Sequence, residues 1–275
     1  MSSGSVAAVA DPLDGKLVAR AEELRRLGRV VVAFSGGADS AFLAAMAHRT
    51  LGAEHAHAVT AVSPSLAGDE AADCRQLADE WGLRWTPVST DEMARAAYRL
   101  NDTDRCYHCK AELMDVVGPI AAAEQATVVL GVNVDDLGDH RPGQRAADER
   151  GARFPLVAAG FTKADVRAAS RALGLRTADK PAAACLASRI PYGTEVSVGL
   201  LGQVERAEAA LRRLGFGQLR VRHYGDTARI ELPTTDLVRA AEQHEAIVGA
   251  VERCGYRYVT LDLAGFRSGN LNPRR

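Results

Sequence analysis

Two stretches of this chain carry residues able to do chemistry. The first is "SGGADS" (35–40), which follows the apolar run "RVVVAF" (29–34) and precedes the alanine-rich "AFLAAMAHRTL". Strand, glycine turn and helix start, in that order, make a phosphate cradle. Gly36 and Gly37 allow positive φ and close approach by backbone N–H groups, and the helix N-terminus adds donors and partial positive charge. Ser35 and Ser40 contribute hydroxyls. Asp39 is the odd member: a carboxylate beside a polyphosphate is repulsive unless a divalent cation lies between them, so the pattern implies Mg²⁺ together with a nucleotide. The bland alternative is a Gly-Gly turn with Asp39 and Ser40 as helix caps, and the order strand, motif, helix favours the cradle. No Walker-type Gly-Lys-Ser/Thr is present, which argues against the usual γ-phosphate chemistry.

The second stretch is "RCYHCK" (105–110), which sets Cys106 and Cys109 one helical turn or one tight loop apart. Alone, the pair fits a redox dithiol, half of a zinc site, or part of an iron–sulfur ligand set. A zinc site needs further ligands, and His108, inside the pair, is poorly placed to complete a tetrahedron with its neighbours. Cys185 lies in the irregular "KPAAACLASRIPYGTEV", with Arg189 close behind to favour a thiolate. Cys74 and Cys254 stand in helical surroundings and read as packing residues. Five cysteines in all, an odd number, argue against a disulfide framework.

These residues need a scaffold, and the hydrophobic pattern supplies one. A chain of 275 residues, 47% hydrophobic, has material for about two domains. Helical periodicity over 14–27, then apolar runs at 29–34, 56–63, 84–89 and 127–133 separated by helical segments, predicts βαβ units and a doubly wound parallel sheet. The polar stretch 133–154 reads as a long loop, and 162–175 as a helix capped by Thr162. A domain boundary is expected in the irregular segment after 175. Beyond it, helix (200–214), strands (218–224, 228–232), helix (235–252) and a last strand (257–263) predict a smaller α+β domain. The domain limits are set at 14–182 and 195–270.

Charge excludes some partners. With 34 basic against 35 acidic side chains, the net charge of −1 gives no bulk attraction to nucleic acid. The small, flexible "MSSGSVAAVADP" lacks the basic start and apolar run of a secretory signal, and no segment approaches a membrane-spanning length, so a cytoplasmic enzyme is expected.

Ser35 to Ser40 resemble the "SGGxDS" loop of the PP-loop ATP pyrophosphatases, whose fold is adenine nucleotide alpha hydrolase-like. That resemblance implies ATP, an attack by a substrate oxygen on the α-phosphorus, release of pyrophosphate and an adenylated intermediate. "GVNVDD" (131–136) is similar to that superfamily's second strand-end segment, which implies Gly131, Asn133 and Asp135 near the nucleotide. Their plainer reading is an Asx turn after a strand.

"RCYHCK", "GVNVDDLGDHRPGQRAADERGARFPL" and "ACLASRIPYGTEV" together resemble the ATP-dependent sulfur transferases that sulfurate the nickel-pincer nucleotide cofactor of lactate racemase. The resemblance implies that a carboxylate of pyridinium-3,5-biscarboxylic acid mononucleotide is adenylated and converted to a thiocarboxylate, releasing AMP. In that family, members with one cysteine, matching Cys185, give up its sulfur, and members with three, matching Cys106, Cys109 and Cys185, bind a [4Fe–4S] cluster that carries sulfide. This sequence has all three. By the same resemblance Arg220 and Arg222 bind the substrate phosphate; Glu231 is expected to orient substrate or metal, and Arg189, adjoining the cysteine, to stabilise the carboxylate undergoing activation. Alternating arginines also suit a solvated strand face. The expected partners are this nucleotide-like substrate, a sulfide or cysteine-derived sulfur donor and, by analogy, further copies of the chain.

Three other readings share parts of this pattern. A PP-loop tRNA thiolase needs a basic track along RNA, an NAD or asparagine synthetase-like enzyme needs an ammonia source, and a nucleotide sensor needs no turnover.

Overall fold

The fold, taken from a computed structural model, is described for residues 12–138, 142–181 and 184–267. The expected domain limits at 182 and 270, and residues 139–141 of the expected loop, lie outside these. In chain order come α1 (Pro12–Leu27), β1 (Val30–Ala33), α2 (Ala38–Leu51), β2 (Ala56–Val62), α3 (Gly68–Trp81) and β3 (Arg84–Ser89). Then follow α4 (Ala96–Arg99), α5 (Arg105–Ala123), β4 (Thr127–Leu130), α6 (Pro142–Asp148), α7 (Pro155–Ala158) and α8 (Lys163–Ala172). The remainder is α9 (Val198–Arg213), β5 (Arg220–Tyr224), β6 (Thr227–Glu231), α10 (Leu237–Glu242), α11 (His244–Glu252) and β7 (Tyr258–Leu261).

The chain divides into two compact units, neither continuous in sequence. Among the described residues, one takes the chain up to Ala61, then Asp69–Thr90 and Lys110 to 181; the other takes Val62–Gly68, Asp91–Cys109 and Ala184 onward.

The first unit is built on a four-stranded sheet of order β3-β2-β1-β4, in which β1 pairs in parallel with both β2 and β4. The β-branched run of β1 is buried on both sides, as a central parallel strand must be. Val30 and Val32 pack with Leu24, Phe42, Leu77 and Val166 from α1, α2, α3 and α8. Val31 faces the opposite layer with Leu113, Met114 and Val117 of α5. Helices therefore cover both faces, which is the doubly wound arrangement expected. Strand order reverses at β1, and Ala33 pairs with Leu130. The loops leaving the carboxyl ends of β1 and β4 thus start side by side, where open α/β sheets bind ligands.

The second unit carries a three-stranded sheet of order β5-β6-β7, antiparallel between β5 and β6 and parallel between β6 and β7. Its core sets Val221, Ala228 and Ile230 against Ala207 and Leu211 of α9 and Ile247 and Val251 of α11. A further buried cluster joins Tyr98, Leu186, Ile190, Val196 and Leu201.

Two expectations are corrected. The polar segment 133–154 is not a continuous loop: a 3₁₀ turn (Val134–Gly138) and α6 lie within it, with Ala146 and Ala147 fully buried. The single helix expected at 235–252 is instead a 3₁₀ turn (Thr234–Asp236), α10 and α11, because Gln243 leaves the helical region at φ −96°, ψ 19°.

Candidate functional site

In the first unit every cradle residue anticipated from sequence lies close to its neighbours. Gly36 has φ +68°, a conformation that costs a side-chain-bearing residue about 1–2 kcal/mol, and a Cβ there would come within 2.8 Å of the Cys74 sulfur. Gly37 stands just before α2 without a side-chain cap, so the first turn of α2 keeps its backbone N–H groups for another acceptor. Ser40 Oγ bonds Gly37 O at 3.1 Å, lies 3.0 Å from Ser35 Oγ and accepts from Ser35 N at 3.2 Å, which fixes the loop against the helix. Gly131 is required by the neighbouring strand end: a Cβ on it would lie 2.6 Å from Ser40 N and 2.7 Å from Asp39 C. Backbone meets backbone there, and no side chain can yield.

The buried Asn133 then links the two strand ends. Its Nδ2 donates to Asp39 Oδ1 at 3.2 Å, and its Oδ1 accepts from Asp135 N at 3.0 Å. Asp135 in turn accepts from Lys163 N at 2.7 Å, while the Lys163 ammonium is ion-paired with Asp39 Oδ2. Lys163 is the first residue of α8, placed there by a capping box in which Thr162 and Asp165 satisfy each other's backbone. Sequence reasoning passed over this lysine. It also passed over Lys180, whose ammonium donates to Gly36 O at 3.1 Å and pairs with Glu70 at 2.7 Å and Asp73 at 2.6 Å. Burial works against the Lys180 charge, but the bonds from Asp73 and Glu70 outweigh it and raise its pKa. Beneath the loop, burial pushes the Cys74 thiol up to about 11, the behaviour of a packed sulfur rather than a nucleophile.

The arrangement suits a polyphosphate. Open helix donors and glycine backbone face the turn, and Asp39 already holds a cation as its partner, the Lys163 ammonium. A carboxylate is the donor type Mg²⁺ takes, and here Asp39 has its charge compensated by Lys163.

The three thiols fall in the second unit. Cys106 and Cys109 lie near the start of α5, one helical turn apart; Cys106 is exposed and Cys109 half-buried. His108 is turned to Asp104 at 3.2 Å. The half-buried Cys185 immediately precedes the 3₁₀ turn Leu186–Arg189. Arg105 and Tyr98, both buried and neither singled out from sequence, tie these thiols to one neighbourhood. Burial disfavours the Arg105 charge, yet Cys185 and Cys106 lie close enough for their negative charge to raise its pKa overall. The Tyr98 hydroxyl is pushed up by burial and then by Cys185 and Cys109. Among the described residues no three His, Cys, Asp or Glu side chains converge into a metal-holding group. Thiolates are the donor type an iron–sulfur cluster takes, but among the described residues these three are not gathered into a cluster site.

The Arg189 guanidinium is held by protein partners. Its guanidinium grips Glu208 through two bonds, at 2.8 and 3.1 Å, and donates to the carbonyls of Ala184 at 2.5 Å and Cys185 at 3.1 Å. It therefore fixes the backbone that carries Cys185. Arg220 and Arg222 do not line a solvated strand face: both are buried. Arg222 pairs with Glu231 at 2.9 Å and holds Ser188 O at 2.8 Å. Arg220 stacks over Phe266 at 5.1 Å, and burial, then the charges of Arg189 and Arg222, bring its pKa down to about 10. With Glu208 and Glu231 fully buried, three buried arginines meet two carboxylates, leaving a net positive charge before the flanking Arg212 and Arg229 are counted. Such a cluster favours an anion.

A glycine-lined turn at the switch point of a parallel sheet, with an acidic residue in the helix turn that follows, defines a nucleotide-binding α/β protein of the PP-loop class. The sequence profile of NAD synthase matches residues 18–114. The chain is 45% identical over 263 residues to an uncharacterized protein of Synechocystis sp., covering 94% of this chain and 98% of that one. It is 39% identical over 250 residues to the pyridinium-3,5-bisthiocarboxylic acid mononucleotide synthase of Lactiplantibacillus plantarum, covering 90% of this chain and 91% of that enzyme. An uncharacterized protein of Methanocaldococcus jannaschii is 26% identical over 241 residues, covering 87% of this chain and 91% of that one. The chain belongs to the family of the L. plantarum synthase. Among the described residues no helix is long and apolar enough to cross a membrane.

Proposed function

We propose that this protein is an ATP-dependent sulfur transferase acting on a carboxylate of pyridinium-3,5-biscarboxylic acid mononucleotide. The observation that carries this reading is one chain holding both a phosphate cradle and three thiols in the same unit as a buried arginine cluster, in a family with a named synthase of the bisthiocarboxylic acid product. In the first half-reaction a substrate carboxylate oxygen attacks the α-phosphorus of ATP, the bond to the bridging oxygen breaks, and pyrophosphate leaves with the electron pair. The backbone N–H groups at the start of α2 and the Ser35 and Ser40 hydroxyls hold the phosphates, while Lys180 keeps the turn in shape through Gly36 O. Asp39 is the carboxylate that would hold Mg²⁺, which when bound neutralises phosphate charge. Gly131, Asn133 and Asp135 set the facing loop. Arg220 and Arg222 bind the substrate phosphate, with Glu231 fixing Arg222.

In the second half-reaction a sulfur nucleophile attacks the acyl carbon, the carbon–oxygen bond to AMP breaks, and AMP leaves with the electron pair. When hydrosulfide is the nucleophile, the thioacid formed gives its proton to solvent. Cys106, Cys109 and Cys185 are the thiolates that would hold a [4Fe–4S] cluster, which when bound offers an iron without a protein ligand to carry sulfide. Arg189 keeps the Cys185 backbone in place for this step.

The test is to incubate iron- and sulfide-reconstituted protein with ATP, Mg²⁺, sulfide and the substrate, then to assay pyrophosphate and weigh product and protein. ATP-dependent thiocarboxylate with the protein mass unchanged is expected. A protein lighter by about 34 Da, the loss of H₂S, would show that a cysteine gives up its own sulfur, and peptide mapping would show whether it is Cys185. No substrate-dependent pyrophosphate would reject the proposal.

A further inference from the structure

We propose that Asn101 is a positioning residue that holds the Cys185 segment against the segment bearing Cys106 and Cys109. Asn101 lies between α4 and α5, fully buried, with φ +56°, one of two non-glycine residues at positive φ among the described residues. Its amide group serves the Cys185 side: Nδ2 donates to the carbonyls of Pro191 at 2.8 Å, Thr194 at 2.9 Å and Ile190 at 3.3 Å. Its Oδ1 serves the other side by accepting from Arg105 Nη1, and the same nitrogen donates onward to Ala187 O at 2.9 Å. The main chain repeats the link, with Gly193 N donating to Asn101 O at 3.1 Å and Val196 N to Arg99 O at 2.8 Å.

Apart from the bond between Arg105 and Asn101, which braces the first segment, each of these bonds joins residues 99–105 to residues 187–196. The thiols stand at the inner ends of both segments: Cys106 directly follows Arg105, and Cys185 lies two residues before Ala187. Arg105 adjoins Cys106 in sequence and is bonded to the carbonyl of Ala187, two residues from Cys185, so the clamp lies beside both thiols. Asparagine suits the position because it tolerates the left-handed conformation better than other side chains, and its amide supplies donors and an acceptor at once. The purpose of the clamp rests on the sulfur-transfer reading, but its existence can be tested without iron, ATP or substrate.

The experiment uses the full chain carrying C109S and C254S, which leaves Cys106 and Cys185 as the reactive pair and Cys74 buried in the core. Dibromobimane becomes fluorescent on bridging two thiols, and peptide mass mapping identifies the bridge. The parent is expected to bridge Cys106 to Cys185. Asn101→Gly keeps the backbone conformation but removes the amide, and slows bridging by about tenfold or more while circular dichroism and ATP affinity stay unchanged. Asn101→Asp keeps the acceptor for Arg105 and loses the donors; it is expected to behave likewise and decides the matter should the glycine variant misfold. No bridge in the parent, or bridging at the parent rate in the variants, overturns the proposal. Bridging that depends on Asn101, together with no iron uptake by the wild-type chain, upholds the clamp and removes only the cluster reading.

Discussion

Within the first unit the strand ends of the cradle, and within the second the arginine cluster, are each fixed by different means. Around Gly131 the cradle is fixed by main chain against main chain, with no space for one added carbon beside Ser40 N. The second region is fixed by long charged side chains. Glu208 alone accepts from Arg189, Arg212 and Val221 N, and Glu231 from Arg222 and Arg229. A main-chain site fails when an atom is added, whereas a buried ion network fails when a charge is taken away.

That contrast can be pressed experimentally. The largest effect is expected in chemistry alone: Cys185→Ser should cut thiocarboxylate formation by on the order of 10³-fold or more, with substrate-dependent pyrophosphate release retained. Equal loss of both half-reactions would show that the thiol region is not separable from the cradle. Next, Glu208→Ala leaves buried guanidinium groups uncompensated and should cost about 3–5 kcal/mol in chemical denaturation. A loss below about 1 kcal/mol would mean that water solvates the cluster. Gly131→Ala should cost about 1–3 kcal/mol and weaken ATP binding, read by calorimetry, because strand end and helix start must part. The smallest effect concerns pH. Burial tends to raise the Asp165 pKa, but Lys16 and Thr162 outweigh it and bring it from 3.8 to about 2. A lowered carboxylate pKa gives stability that is present above the unfolded value and lost as pH falls through the folded one. Asp165→Asn should therefore lose about 1 kcal/mol near neutrality and show a flatter decline than wild type between about pH 4 and pH 2.

The same contrast explains what could be read from the sequence. Strand, glycine turn and helix are contiguous, so the cradle and the parallel sheet were legible in "VVVAFSGGADSAFLAAMA". Lys163 was not, because it meets Asp39 across 124 residues of chain and its local context, "TKAD", reports only a helix cap. Lys180 was hidden in the same way, 144 residues from Gly36. In "RVRHY" the alternation suggests a strand with one wet face, yet Arg220, Arg222 and His223 are all buried. Of the partners that make this tolerable, Glu231 is set opposite Arg220 by hairpin register, whereas Glu208 lies on α9 and no spacing rule connects it to β5. Arg105 adjoins Cys106 in sequence, but its bond to Ala187 O, 82 residues away, has no signature in "RLNDTDRC".

The capping box at the start of α8 decides where this chain can change length. Lys163 sits at the first helical position, with its backbone on Asp135 and its ammonium on Asp39. Residues added or lost at the far end of α8 leave that lysine where it is. One residue inserted between Phe161 and Lys163 would turn the helix face by about 100° and carry the ammonium away from the cradle. Length variation among relatives should therefore collect after Ala172, and the interval from Asn133 to Lys163 should keep a helix start in phase with Asp39 whatever happens to the residues between.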